Sequence, residues 1–135
     1  MRVVNLIIVF SKDKQRVLMC KRRKNPYKGL LNFVGGKAFE QEDGLEAAYR
    51  ELEEETGLTP ANLTIQCLFI TQYMDDGVEL QVYYGFLNTD VEVVAEVNPL
   101  LWVSTSESFD NENKYAGNGN IQHMMTILKE KYGLQ

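Results

Sequence analysis

The chain of 135 residues is poor in the residues that build cross-links and transition-metal centres, with two cysteines and one histidine. These three side chains are too few for a Cys/His zinc site, so a metal bound here must take oxygen ligands. Cys20 and Cys67 each sit inside an apolar run, which predicts buried free thiols in a reducing compartment. Long hydrophobic runs are missing as well. The longest, Leu6 to Phe10, has five residues, against the roughly 20 of a membrane-spanning helix. Ser11-Lys12-Asp13-Lys14 closes it too early for the apolar core of a secretory signal. No internal repeat, low-complexity segment or linker interrupts the chain. With 44% hydrophobic and 24% charged residues, one soluble, cytoplasmic domain over residues 1–135 is expected, without a membrane partner.

The net charge of −5 is unevenly spread. Residues 1–37 hold ten of the fourteen Lys and Arg and one acid, Asp13, for a local charge of +9; residues 38–135 hold four bases and eighteen acids, for −14. Seven glutamates fall between Glu40 and Glu55. Such a chain lacks the broad positive surface that duplex binding needs, so no polymeric nucleic acid is expected as a partner. It is suited to hold a small polyanion between a basic wall and a metal-loaded acidic one.

Arg2 to Phe10 is β-branched and apolar and reads as a buried strand, Ser11 to Gln15 as a hairpin turn, and Arg16 to Lys21 as the returning strand. Asn25 to Gly36 reads as a loop around a short extended piece. Leu63 to Tyr73 and Val78 to Leu87 predict two strands around an Asp-Gly turn, and Leu100 to Val103 one more. Helices are predicted from Gly44 to Thr56 and from Asn120 to Tyr132, where Ile121, Met124, Met125 and Leu128 have helical spacing. Two helices among irregularly spaced strands predict a mixed sheet packed between helices.

The first helix carries the chemistry. Asp43 is a good N-cap, with Glu46 three residues later completing a capping box, and Gly57 supplies the left-handed stop. Leu45, Ala48, Tyr49 and Leu52 form an apolar stripe for the core; Glu51, Glu54 and Glu55, at i, i+3 and i+4, share another face. Four glutamates in the last turn and a half oppose the helix dipole, which favours cations there. Arg50 can neutralise only part of this charge, whereas a divalent cation would reverse the repulsion; Mg²⁺ favours a few carboxylates, water and substrate phosphates. Just upstream, Gly35-Gly36-Lys37 lets the backbone approach a metal or phosphate closely.

Gly36, five residues, Glu42, seven residues, then Arg50-Glu51-Leu52-Glu53-Glu54-Glu55-Thr56-Gly57-Leu58 resembles the Nudix box, G-x5-E-x7-R-E-U-x-E-E-x-G-U, at every fixed position. The resemblance implies an α/β (α+β) fold, an α/β/α sandwich around a mixed β-sheet. It also implies Mg²⁺- or Mn²⁺-assisted hydrolysis of a nucleoside diphosphate linked to another moiety. By similarity, Glu51, Glu54, Glu55 and the Gly36 carbonyl bind metal, Arg50 orients Glu51, and Glu42 supports the loop and helix start. Glu54 is the first choice for the carboxylate that takes the water's proton, with Glu51 as a rival; family members differ in this residue. Glu96, six residues before Trp102, resembles the extra loop glutamate of MutT-like members, with Glu92 and Glu79 as alternatives.

Length and the KGLLNFVGGK segment are most similar to MutT-like (deoxy)nucleoside triphosphate pyrophosphohydrolases. By that comparison Lys37 and Arg22 contact phosphate and Asn32 sits where some oxidised-purine hydrolases carry an asparagine, although Leu31 replaces their tryptophan. Phe33 reads as a stacking residue or as core. Asn118 or Asn120 could read a purine edge, Asn120 serving equally as an N-cap. Tyr73, 16 residues after Gly57, is the feature shared with dinucleoside polyphosphate hydrolases; the proline that ADP-ribose pyrophosphatases tend to carry in that region is missing. From another class, a non-catalytic Nudix-fold nucleotide-binding regulator remains an alternative, though such modules typically lose box glutamates. Monomer and homodimer are both compatible with the sequence. His123 and the Met124-Met125 pair read as packing residues.

Overall fold

The computed structural model describes residues Met1 to Gln135. Seven strands and two α-helices follow in the order β1 (Arg2–Phe10), β2 (Arg16–Lys21), β3 (Leu31–Asn32), β4 (Val34–Lys37), α1 (Gly44–Thr56), β5 (Ile65–Tyr73), β6 (Val78–Phe86), β7 (Leu100–Ser104) and α2 (Asn120–Tyr132). They form one mixed sheet: β1 runs parallel to β6 over all nine residues, and every other pair is antiparallel. The expected mixed sheet between helices is therefore present, and no helix is long and apolar enough to cross a membrane.

Strand alternation explains the layering. Along β1, Ile7 and Val9 point to one face and Ile8 and Phe10 to the other; along β2, Leu18 and Cys20 oppose Val17 and Met19. The Ile7 face packs against Ala48 and Leu52 of α1, and the Ile8 face against Ile121, Met124, Met125 and Leu128 of α2. All eight of these strand side chains are at most 4% exposed, so each face supplies its own dry core.

The β1–β2 hairpin is narrower than the sequence predicts. Only Phe10 pairs with Val17; β4 takes the remaining edge of β1 from Val4 to Ile7, and β2 turns to pair with β7 over five positions. This exchange brings the double glycine of β4 onto the central strand. Two further expectations need correction. Cys67 is exposed on β5, because β5 borders the sheet with β6 as its one partner. Leu45 is 41% exposed, and Ala47 takes its place in the core stripe, since burial of α1 is centred one position further round the helix.

Candidate active site

Asp43 caps α1, its carboxylate accepting from the N–H groups of Leu45 at 3.2 Å and Glu46 at 3.4 Å. The reciprocal half of the predicted capping box is not made. A bond of the same i, i+3 form lies four residues earlier, where Glu42 accepts from the Phe39 N–H at 2.9 Å and so fixes the loop between β4 and the helix. At the other end Gly57 adopts φ 78° and donates to the Glu53 carbonyl at 2.9 Å, and Leu58 is buried behind it.

Arg50 is the hub of the site. Its Nε and Nη2 hold the two oxygens of Glu42 at 2.7 and 3.0 Å. Its Nη1 reaches Glu51 at 3.0 Å and both oxygens of Glu54 at 3.2 Å, and Nη2 also donates to the Lys37 carbonyl at 3.0 Å. The Phe39 ring lies over the guanidinium, 3.9 Å from the ring centroid to Cζ. One planar, five-donor group thereby ties β4, the loop and α1 together, a geometry lysine lacks. Charge-assisted bonds from Arg50 hold the Glu42 carboxyl below the usual carboxylate range.

Glu55 behaves differently. It is 7% exposed and accepts from the Gly35 N–H at 2.6 Å. Burial pushes its carboxyl up to about 7 despite that bond, with the charge of Glu51 adding to the rise and that of Arg22 opposing it. Burial raises Glu51 too, against the pull of Arg50. Glu54 is the most open of the three, and Glu53 points to solvent with no ion pair. The three box glutamates thus line one strip of α1, graded from buried to exposed.

The strip faces β4. A Cβ on Gly36 would overlap the Glu51 carboxylate, so only glycine lets strand and carboxylate meet there. Gly35, at φ 154°, lies against the Asn5 carbonyl, where a Cβ would overlap backbone. Glu51, Glu54, Glu55 and the Gly36 carbonyl offer hard oxygens, the donor chemistry a Mg²⁺-type ion takes, although the three carboxylates are not drawn together as a ready-made metal cluster. Two features were not singled out by sequence reasoning: the Phe39 ring over Arg50, and Asn5, whose Oδ1 accepts from the Gly36 N–H at 3.0 Å. A lone amide within RVVNLIIVF was the available signal for Asn5.

A family model described as the NUDIX domain matches residues 1–116, which includes all of this machinery. The chain belongs to the NUDIX domain family. An ADP-ribose pyrophosphatase of Methanocaldococcus jannaschii is 42% identical over 52 residues, which is 38% of this chain and 30% of that protein's length. Among solved structures, an Ap4A hydrolase of C. elegans superposes with a TM-score of 0.77 at 18% identity, covering 96% of this chain and 98% of that one. MutT, studied from Aliivibrio salmonicida and Vibrio cholerae, gives 0.70 at 21% identity over 94% and 98%. At these identities the structural likeness establishes the shared fold.

The residues outside the box are more scattered. Arg22, at the end of β2, donates from Nε to the Pro26 carbonyl at 2.7 Å, and its charge is felt at Glu55. It forms no surface ion pair; indeed none of the ten Lys and Arg of residues 1–37 does, the structure's ion pairs being those of Arg50 and Lys114. Lys37 is exposed at the end of β4, where alternation from Val34 and Gly36 directs its side chain to the sheet face away from α1. Asn32 pairs with Cys20 and turns its Oδ1 onto the Phe33 N–H at 2.8 Å. Phe33 is 2% exposed and belongs to the core. Asn118, at φ 52°, donates to the Tyr27 hydroxyl at 3.4 Å; Gly119, not Asn120, occupies the N-cap of α2. His123 is exposed on α2, while Met124 and Met125 are core. Glu96 lies exposed between β6 and β7 without a hydrogen bond to the box, although the Val94 N–H of the same loop docks on the Thr56 carbonyl at 2.9 Å.

Proposed function

We propose that this chain is a divalent-metal-dependent hydrolase of a phosphoanhydride bond in a nucleoside diphosphate linked to another moiety. The substrate we assign is a (deoxy)nucleoside triphosphate, ordinary or oxidised, split by water into monophosphate and pyrophosphate. The observation carrying this reading is the Arg50 hub, which holds Glu51 and Glu54, with Glu51 beside a glycine whose missing side chain leaves room for it. Glu51, Glu54, Glu55 and the Gly36 carbonyl would hold Mg²⁺ or Mn²⁺. When bound, such an ion neutralises the diphosphate and activates water.

The chain's own residues complete the reaction. Glu54, the open carboxylate, accepts the water's proton; Glu51 is its rival, and Glu96 requires its loop to fold over the site. Arg22, whose charge acts on Glu55 and which forms no ion pair, neutralises phosphate charge beyond the metal; Lys37, expected to share this role, projects from the sheet face away from α1 and is not assigned to it. Asn32 and Asn118 are assigned to the base. A second reading, ADP-ribose hydrolysis, is favoured by the 52-residue match to the archaeal pyrophosphatase.

Product release from nucleoside triphosphates, ADP-ribose and dinucleoside polyphosphates, with Mg²⁺ and with Mn²⁺, tests the proposal. Turnover is expected on triphosphates first; inactivity on the whole panel with both ions would leave a nucleotide-binding module. Arg22→Ala should lower kcat/KM for triphosphates more than for ADP-ribose, because the triphosphate has more charge for Arg22 to meet. An equal change on both would return Arg22 to the ordinary surface.

A further inference from the structure

Asn5 is the one polar side chain among the buried residues of β1, 3% exposed. Its orientation is settled by its partner: the Gly36 N–H can only donate, so the atom facing it is Oδ1, and Nδ2 is the other. That Nδ2 is buried with no hydrogen-bond partner, the only such side-chain atom in the molecule. A buried donor left without an acceptor is unfavourable, and a fold that keeps one calls for an explanation.

The register supplies one. Asn5 lies directly opposite Gly36 in the β1–β4 pair, so the two share a face, and side-chain positions of such partners are about 5 Å apart. The side-chain position of Gly36 is where the Glu51 carboxylate sits. One Glu51 oxygen, Oε1, accepts from Arg50, whereas Oε2 accepts nothing. An unmatched donor and an unmatched acceptor therefore stand at neighbouring positions on the same face, on either side of the glycine.

We propose that Asn5 is a positioning residue of the metal site, its Oδ1 fixing the Gly36 backbone and its Nδ2 reserved for the free oxygen of Glu51 when that carboxylate, already against β4, serves as a metal ligand. The inference rests on the metal-dependent reading above. Outer-shell partners of metal ligands characteristically change metal affinity by about 10- to 100-fold when removed.

The experiment uses the full chain and Mn²⁺ alone as probe. Asn5→Leu removes both amide functions at similar volume; Asn5→Thr keeps a hydroxyl near the Gly36 N–H and covers the case in which Asn5→Leu does not fold. Expected are a Mn²⁺ dissociation constant raised at least about tenfold by titration calorimetry and a smaller Mn²⁺-induced rise in Tm over the Tm of the same variant in EDTA. On triphosphate, kcat should fall with KM little changed. Unchanged Mn²⁺ affinity in a folded variant overturns the proposal, as does a loss confined to the EDTA Tm, which would mark Asn5 as structural. The two readings fail separately. Wild-type protein that binds Mn²⁺ but hydrolyses nothing defeats the hydrolase alone; an active wild type with an Mn²⁺-indifferent variant defeats Asn5 alone.

Discussion

Gly35 and Gly36 are neighbours with opposite consequences for substitution. A methyl group on Gly36 meets the end of a flexible carboxylate, which can swing aside, whereas on Gly35 it meets the fixed carbonyl of Asn5 at a φ of 154°. Gly36→Ala should therefore fold with a Tm within a few degrees of wild type and lose activity, about a hundredfold or more, because Glu51 is displaced. Gly35→Ala should lose stability, about 2 kcal/mol or more, in chemical denaturation. The reverse order would refute the placement of Glu51 against β4. Glutamates separate in the same way. Glu54→Gln is expected to cost about a hundredfold in kcat, and Glu53→Gln little, since Glu53 faces solvent outside the Arg50 network. Equal losses in steady-state kinetics would contradict the helix register.

At the scale of elements, α1 has strong ends and an unfavourable middle. Its last turn holds no base to balance four glutamates, so the Asp43 cap and the Gly57 stop have more to offset than in an ordinary helix. Asp43→Ala should reduce stability by about 1 kcal/mol without changing the relative rates on different nucleotides, as thermal melts and assays of the same variant would show. The limits of this helix, and those of β1, β2 and α2, were legible in the sequence because caps and apolar periodicity are local signals. Pairing was not. That β4 replaces β2 beside β1 depends on a close approach at Gly35 that no short-range pattern announces. The helix face was read one position off, with Leu45 inside and Ala47 outside, because hydrophobicity outweighs size in a stripe, while close packing under a sheet favours the smaller residue. The box glutamates could be read from spacing alone; the burial of Glu55 and its bond to Gly35 could not, since they depend on a strand 20 residues earlier.

Taken as a whole, the metal-free molecule carries a charge conflict at its centre that pH should reveal. Glu55 titrates near 4.5 when unfolded and about 7 when folded, raised chiefly by burial. Between those values the native state keeps a proton that the unfolded state has released, so stability is greatest below the unfolded value and is lost as pH rises through the folded one. The full shift corresponds to something on the order of 3 kcal/mol, and Glu51 acts in the same direction. Melting in EDTA should show a lower Tm at pH 8 than at pH 5.5, with Glu55→Gln flattening the slope. Glu42 and Glu107, held low by Arg50 and Lys114, contribute the opposite trend only below about pH 4.5, outside this window. A wild-type Tm that climbs from pH 5.5 to pH 8 would show that Glu55 is not buried as described.

The position of β1 also sets a clock for the site. This strand is enclosed by β6 along one edge and by β4 and β2 along the other, and Gly36 is bonded to it through Asn5. Segments in such a setting exchange their amide protons only when the whole domain opens, whereas exposed loops such as residues 22–30 exchange through local fluctuations. The floor of the site therefore shares the slowest timescale of the molecule and its rim the fastest. Under the proposed function, nucleotides of different shape would be met by movement of the rim, over a floor that keeps one geometry for as long as the protein stays folded.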